Sequence, residues 1–264
     1  MELDIALILL LFLTGLGAGT VDAMAGGGGL ITLPVLLATG MSPVEALATN
    51  KLQGSFGTFA ATRYFVKKRL VNLSEMRTMI ISTFIGAVTG TILVQLLDAS
   101  LLAKVMPGLL VLIALYFMFS PRISDEDSEQ RISMGLFAGL VASSIGFYDG
   151  FFGPGTGTFF TIAFVSLAGF SLARATAHTK VLNFTSNIAS LMFFAVGGHI
   201  VWFAGLVMAA GQLIGGQLGA KLVVSKGTRL IRPLIVIVTL AMSAKLLMDQ
   251  IEFDAVAAQF SQLF

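Results

Sequence analysis

Two lysines set among apolar residues, Lys51 and Lys180, are the side chains of this sequence best suited to chemistry. Each falls nine residues into a predicted helix, starting at Pro43 and near Ser171. That is about 14 Å along the helix at about 1.5 Å per residue. A lysine at the centre of a bilayer costs about 2.5–3.5 kcal/mol on insertion scales, so its position needs a reason. It can snorkel along its stem, pair with a buried carboxylate, or coordinate an anion. Two lysines at matching positions favour the anion. Asn50 and Gln53 flank the first, and His178, Thr179 and Asn183 flank the second.

Two aspartates, each followed by a glycine cluster, form the second constellation. The first copy is Val21-Asp22-Ala23-Met24-Ala25-Gly26-Gly27-Gly28-Gly29, and the second is Tyr148-Asp149-Gly150-Phe151-Phe152-Gly153-Pro154-Gly155-Thr156-Gly157. Four successive glycines disfavour helix by about 1 kcal/mol each. Within lipid, the backbone groups freed by such a break must line a cavity or be packed in protein. A short helix that starts at the break points its N-terminus, with partial positive charge and free N–H groups, toward mid-membrane, which suits an anion. Close helix packing through glycine is the plainer reading. Fixed carboxylates beside such a site would repel an anion. Asp22 and Asp149 therefore pair with the lysines, are protonated by desolvation, or carry a coupling proton. His178 joins them as a proton-coupling candidate, because imidazole titrates near neutrality.

The chain that must position these residues is strongly apolar. Of its 264 residues, 56% are hydrophobic and 11% charged, with a mean hydropathy of +0.92. Soluble domains carry about 25% charge, so repeated apolar runs imply an all-α polytopic membrane protein. A net charge of +2 gives no basic surface for nucleic acid. The absence of cysteine excludes disulfides and thiolate chemistry. Two histidines and no nearby acidic cluster make a metal site implausible. No enzyme constellation is present: Ser143-Ser144 lacks a base at defined spacing, and the glycine runs follow no strand and precede no Gly-Lys-Ser/Thr. No cofactor is expected.

Apolar helices are predicted over 5–25, 30–39, 43–66, 75–97 and 101–120, and again over 132–152, 157–168, 171–197, 200–222 and 228–249. The Ala23-Met24-Ala25 segment mimics a signal-peptidase site, but the acidic start Met1-Glu2-Leu3-Asp4 and the internal copy argue that 5–25 is retained. The polar stretch 121–131 separates a first repeat, 1–120, from a second, 132–249, with an interfacial tail at 250–264. Gly19, Asp22, Gly26 and Gly28 align with Gly146, Asp149, Gly153 and Gly155. After two extra residues, Gly40, Ser42, Ala46, Ala48 and Lys51 align with Gly169, Ser171, Ala175, Ala177 and Lys180, and Gly86 and Gly90 with Gly215 and Gly219.

Basic clusters at 63–77 and 221–232 are expected on the cytoplasmic side. With a glycine-broken hairpin and three spans per repeat, the second repeat is inverted and both termini lie outside. Inverted repeats with broken helices are typical of secondary transporters that bind substrate near the midplane. Arg63, Arg174 and Glu45, nearer the helix ends, are read as interfacial anchors.

The segment Gly-Met-Ser-Pro-Val-Glu-Ala-Leu-Ala-Thr-Asn-Lys at 40–51, after the aspartate–glycine break, resembles the first half of the TauE/SafE family of sulfite exporter-like permeases. Gly-Phe-Tyr-Asp-Gly-Phe-Phe-Gly-Pro-Gly-Thr-Gly at 146–157 and Ala-His-Thr-Lys-Val-Leu-Asn at 177–183 resemble its second copy. The resemblance implies a bacterial inner-membrane carrier for small anions such as sulfite and organosulfur compounds. Its implied site is the glycine breaks with Asn50–Lys51 and Thr179–Lys180. The expectation is an alternating-access carrier binding its anion at Gly26, Gly27, Gly28, Gly29, Asn50, Lys51, Gly153, Gly155, Thr156, Thr179, Lys180 and Asn183. Its partners are the anion, the lipid bilayer and a coupling proton as an open addition. An anion channel and a non-transporting membrane scaffold or sensor are the alternatives. Steady ohmic currents would mark the first, and a soluble signalling domain the second.

Overall fold

The computed structural model describes residues 5–98, 100–102, 105, 108 and 127–226. The expected helices at 101–120 and 228–249 and the tail at 250–264 lie outside the described residues or nearly so. In chain order the helices are α1 (Ile5–Ala25), α2 (Gly28–Ala38), α3 (Pro43–Lys67) and α4 (Arg77–Leu96), then α5 (Met134–Phe151), α6 (Thr156–Ser166), α7 (Leu172–Val196) and α8 (Trp202–Lys226). The described elements are all helical. α1, α4, α5 and α8 are long and apolar enough to cross a membrane.

Glycine sets how closely these helices approach. α1 lies along α8, and α5 along α4. A Cβ on Gly215 would sit 2.2 Å from the Leu16 carbonyl oxygen, and one on Gly86 would sit 2.1 Å from that of Ser143. Gly219 abuts Thr20 as Gly90 abuts Phe147, and Gly19 meets Gln212 as Gly146 meets Thr83. Small residues one turn apart let helix backbones touch, which is how helices bind each other without a hydrophobic driving force. Each of these contacts maps onto the other when the aligned halves are exchanged. The outer faces of the same helices carry exposed Leu9, Leu13, Ile81, Ile85, Leu140, Leu206 and Leu218, the composition expected against lipid.

α3 and α7 form the centre, where they pack on each other. They carry most of the buried polar residues among those described. Their starts differ in a telling way. α3 opens with a capping box in which Ser42 and Glu45 satisfy each other's backbone N–H. The residue aligned with Glu45 is Arg174, which cannot accept a hydrogen bond. The linker supplies the missing acceptor: Asp127 Oδ1 takes the Ser171 N–H at 2.6 Å.

The breaks are tighter than the sequence suggests. Gly28 and Gly29 belong to α2, so the helix begins before the expected residue 30. The Gly28 N–H donates to Asp22 Oδ1 at 3.3 Å, which steadies that first turn. Likewise α6 begins at Thr156, whose hydroxyl donates to the Gly153 carbonyl. α8 runs on to Lys226, past the expected end at 222.

Candidate functional site

The two breaks meet at the middle of the molecule. Gly26, at φ +80°, packs so closely on the second break that a Cβ there would lie 2.2 Å from the Gly157 carbonyl carbon. Thr158 Oγ1 donates to the Ala25 carbonyl at 2.7 Å and ties the two tips together. Gly27 and Gly155, which precede α2 and α6 at this junction, have no side chain to cap them, and Asp22 Oδ1 takes the Gly28 N–H alone. α2 covers about 16 Å at about 1.5 Å per residue, and its Thr32 Oγ1 reaches Asn50 Oδ1 in α3 at 2.6 Å. The junction thus stands beside the middle of α3, not its end.

The lysines and aspartates pair crosswise. Lys51 Nζ lies 2.8 Å from Asp149 Oδ1 and also donates to the Asp149 carbonyl. Lys180 Nζ lies 2.9 Å from Asp22 Oδ2. Each lysine of one half neutralises the aspartate of the other. Asp149 is held further by Thr156 Oγ1 at 2.8 Å and by the Ser186 hydroxyl. Of the three sequence-derived options for these acids, the geometry displays the pairing.

A cavity of about 30 Å³ opens between the tips and α3, α7 and α8, room enough for water-sized groups. Of the expected site residues, Asp22, Gly26, Gly28, Gly29, Asn50, Asp149, Gly153, Thr156 and Asn183 line it. Lys51 and Lys180, 1% and 0% exposed, stand behind their aspartates and do not. Gly27 and Gly155 serve as the residues preceding α2 and α6. Thr179 accepts from Thr161 Oγ1 at 3.2 Å. His178 is set apart from the cavity, between Phe164 and Phe170, with Nδ1 2.8 Å from the Arg174 carbonyl oxygen.

Gln53, Thr58, Asn187 and Gln212 also line the cavity. Gln53 Nε2 donates to Asn50 Oδ1 at 2.6 Å, and Gln212 donates to Gln53 Oε1. Asn187 follows Asn183 by one helical turn, so the sequence places both on one face. Gln212 is marked only as an isolated amide in a glycine-rich apolar run. Among the described residues, Asn50 Nδ2 and Asn183 Nδ2 find no acceptor, although both side chains are more than nine-tenths buried. The arrangement offers an anion two helix N-termini and free amide donors. Among the described residues no group of three or more acidic or histidine side chains could hold a metal ion.

The chain matches the family model described as "Sulfite exporter TauE/SafE" over residues 11–246. It is 50% identical over 250 residues to a "probable membrane transporter protein" of Haemophilus influenzae, covering 95% of this chain and 98% of that one. It is also 50% identical over 239 residues to the "probable membrane transporter protein YfcA" of Escherichia coli K12, covering 90% and 89%. A Bacillus subtilis "probable membrane transporter protein YunE" is 24% identical over 267 residues, with 92% and 98% covered. No solved structure matches the chain.

Proposed function

The chain belongs to the sulfite exporter TauE/SafE family and is a membrane transporter, and from that premise we propose that it is a secondary carrier of small anions of the sulfite or organosulfonate kind. It works by alternating access between two inverted repeats. The same reading sets it in a bacterial inner membrane with both termini outside, as the basic clusters at 63–77 and 221–232 support.

The observation that carries this reading is the meeting of two glycine-led half-helix N-termini at one buried polar cavity. Aligned peptide dipoles leave about half a positive charge at each such end. Anions bind there by accepting backbone N–H groups, and broken helices supply such ends at the transport site of other carriers. The crossed pairs give the two halves a common seam. Lys51 and Lys180 are neutralised by Asp149 and Asp22. Their charge turns toward the cavity only when an aspartate releases them. Asp22 and Asp149, which line the cavity, are the nearer candidates for a coupling proton. His178, remote from the cavity, is the weaker coupling candidate.

The test is flux in proteoliposomes with sulfite, thiosulfate and short sulfonates, with and without a pH gradient. Anion-dependent flux that falls strongly in both Lys51→Ala and Lys180→Ala is expected. No flux under any gradient would remove the carrier reading. Unchanged flux in both variants would remove the lysines from the transport step.

A further inference from the structure

The charges around the cavity bear on which anions it takes. Lys51 and Lys180 cancel against Asp149 and Asp22 at contact distances of 2.8 and 2.9 Å. Asp149 cannot easily turn away, because it also accepts from Thr156 and Ser186. What remains is the pair of helix N-termini, of which that of α2 already gives one N–H to Asp22, and neutral amides. Asn50 Oδ1 is committed to Thr32 and Gln53, which turns Nδ2 toward the first turn of α2, 3.6 Å from where a Cβ on Gly29 would stand. Asn183 Oδ1 takes Asn187 Nδ2 at 3.5 Å and leaves its own Nδ2 without an acceptor among the described residues.

No whole charge is left over: the positive potential at the cavity is the partial charge of two helix starts, set against the opposite ends of α1 at Ala25 and α5 at Phe151, and burial strengthens it. We propose that the site selects by valence: it accepts a monovalent oxyanion and rejects a dianion. The inference rests on the reading of this cavity as the anion site. A first negative charge meets the helix ends and the amide donors. A second finds no counter-charge and faces two fixed carboxylates.

Methanesulfonate and sulfate are tetrahedral and nearly equal in size but differ by one charge. In proteoliposomes, methanesulfonate should compete with labelled sulfite transport about tenfold or more better than sulfate. Asp22→Asn, which leaves the Lys180 charge unpaired, should move that ratio toward sulfate by a similar factor. Should this variant fail to reach the membrane, sulfite itself serves. Its transport by the unaltered protein should follow hydrogensulfite, not sulfite, as pH is varied, with methanesulfonate as the probe of constant charge. Sulfate competing as well as methanesulfonate, or rates that follow the sulfite dianion, would overturn valence selection and leave the carrier reading standing. Absence of flux with every probe would overturn the carrier reading, and this inference with it.

Discussion

Lys51 and Asp149 are 1% and 2% exposed, so removing either leaves a charge buried with no partner. Breaking such a pair from one side costs about 3–5 kcal/mol, whereas replacing both members with apolar residues of similar volume is often nearly neutral. Lys51→Met should therefore lower thermal stability in detergent far more than Lys51→Met combined with Asp149→Leu. The double variant should nonetheless stay inactive in flux, because it keeps the packing and loses the charge. The other pair is less enclosed, since the Asp22 side chain is 13% exposed. Lys180→Met should destabilise less than Lys51→Met, and the reverse order would contradict the burial argument.

Elements are fixed here by their ends. Gly26 and Gly40 both have positive φ, +80° and +86°, which L side chains rarely adopt. Only Gly26 is also crowded, by the Gly157 backbone; a Cβ on Gly40 meets open space. Gly40→Ala should cost only the backbone strain, about 1 kcal/mol. Gly26→Ala must also force the two tips apart, so a much larger loss of thermal stability and of flux is expected. The start of α7 depends on Asp127, whose carboxyl lies below the usual aspartate range. The backbone hydrogen bond from Ser171 is the main cause, with a smaller contribution from Arg174. A depressed carboxyl stabilises the fold above its ordinary range and ceases to as pH falls through its folded value. Asp127→Ala should thus lower the melting temperature at neutral pH, and the gap to the unaltered protein should close in acid.

At the scale of the whole molecule, neither half is complete. The first keeps Lys51 and Asp22 without their partners, and the second keeps Lys180 and Asp149. Each half alone would hold unpaired charges in the membrane interior, at about 2.5–3.5 kcal/mol each. It would also leave uncovered the glycine faces of α1 and α4 in the first half, or of α5 and α8 in the second. Halves split within 121–126 and expressed singly should be degraded, whereas co-expressed halves should accumulate and transport. Immunoblots of membranes would show it, and stable accumulation of a single half would argue against the crossed design.

The sequence by itself determined the membrane class, the duplicated aspartate–glycine and lysine positions, and the helices that carry them. Those features are written in local composition and in a repeat at fixed spacing, which need no contact to be read. The ends of α3 were legible for the same reason, whereas Glu45, read as an interfacial anchor, closes a capping box with Ser42. The pairing partners were not. Lys51 and Asp149 are 98 positions apart, and nothing local distinguishes pairing within a half from pairing across halves. The amide lining was legible only in part: Asn50 and Asn183 stand beside the lysines, while Gln212 arrives from a distant helix. Only the tertiary structure decided that the lysines stand behind the aspartates. The glycine contacts bring the helices so close that each long lysine stem ends at the carboxylate of the opposite half, leaving helix ends and amides to face the cavity.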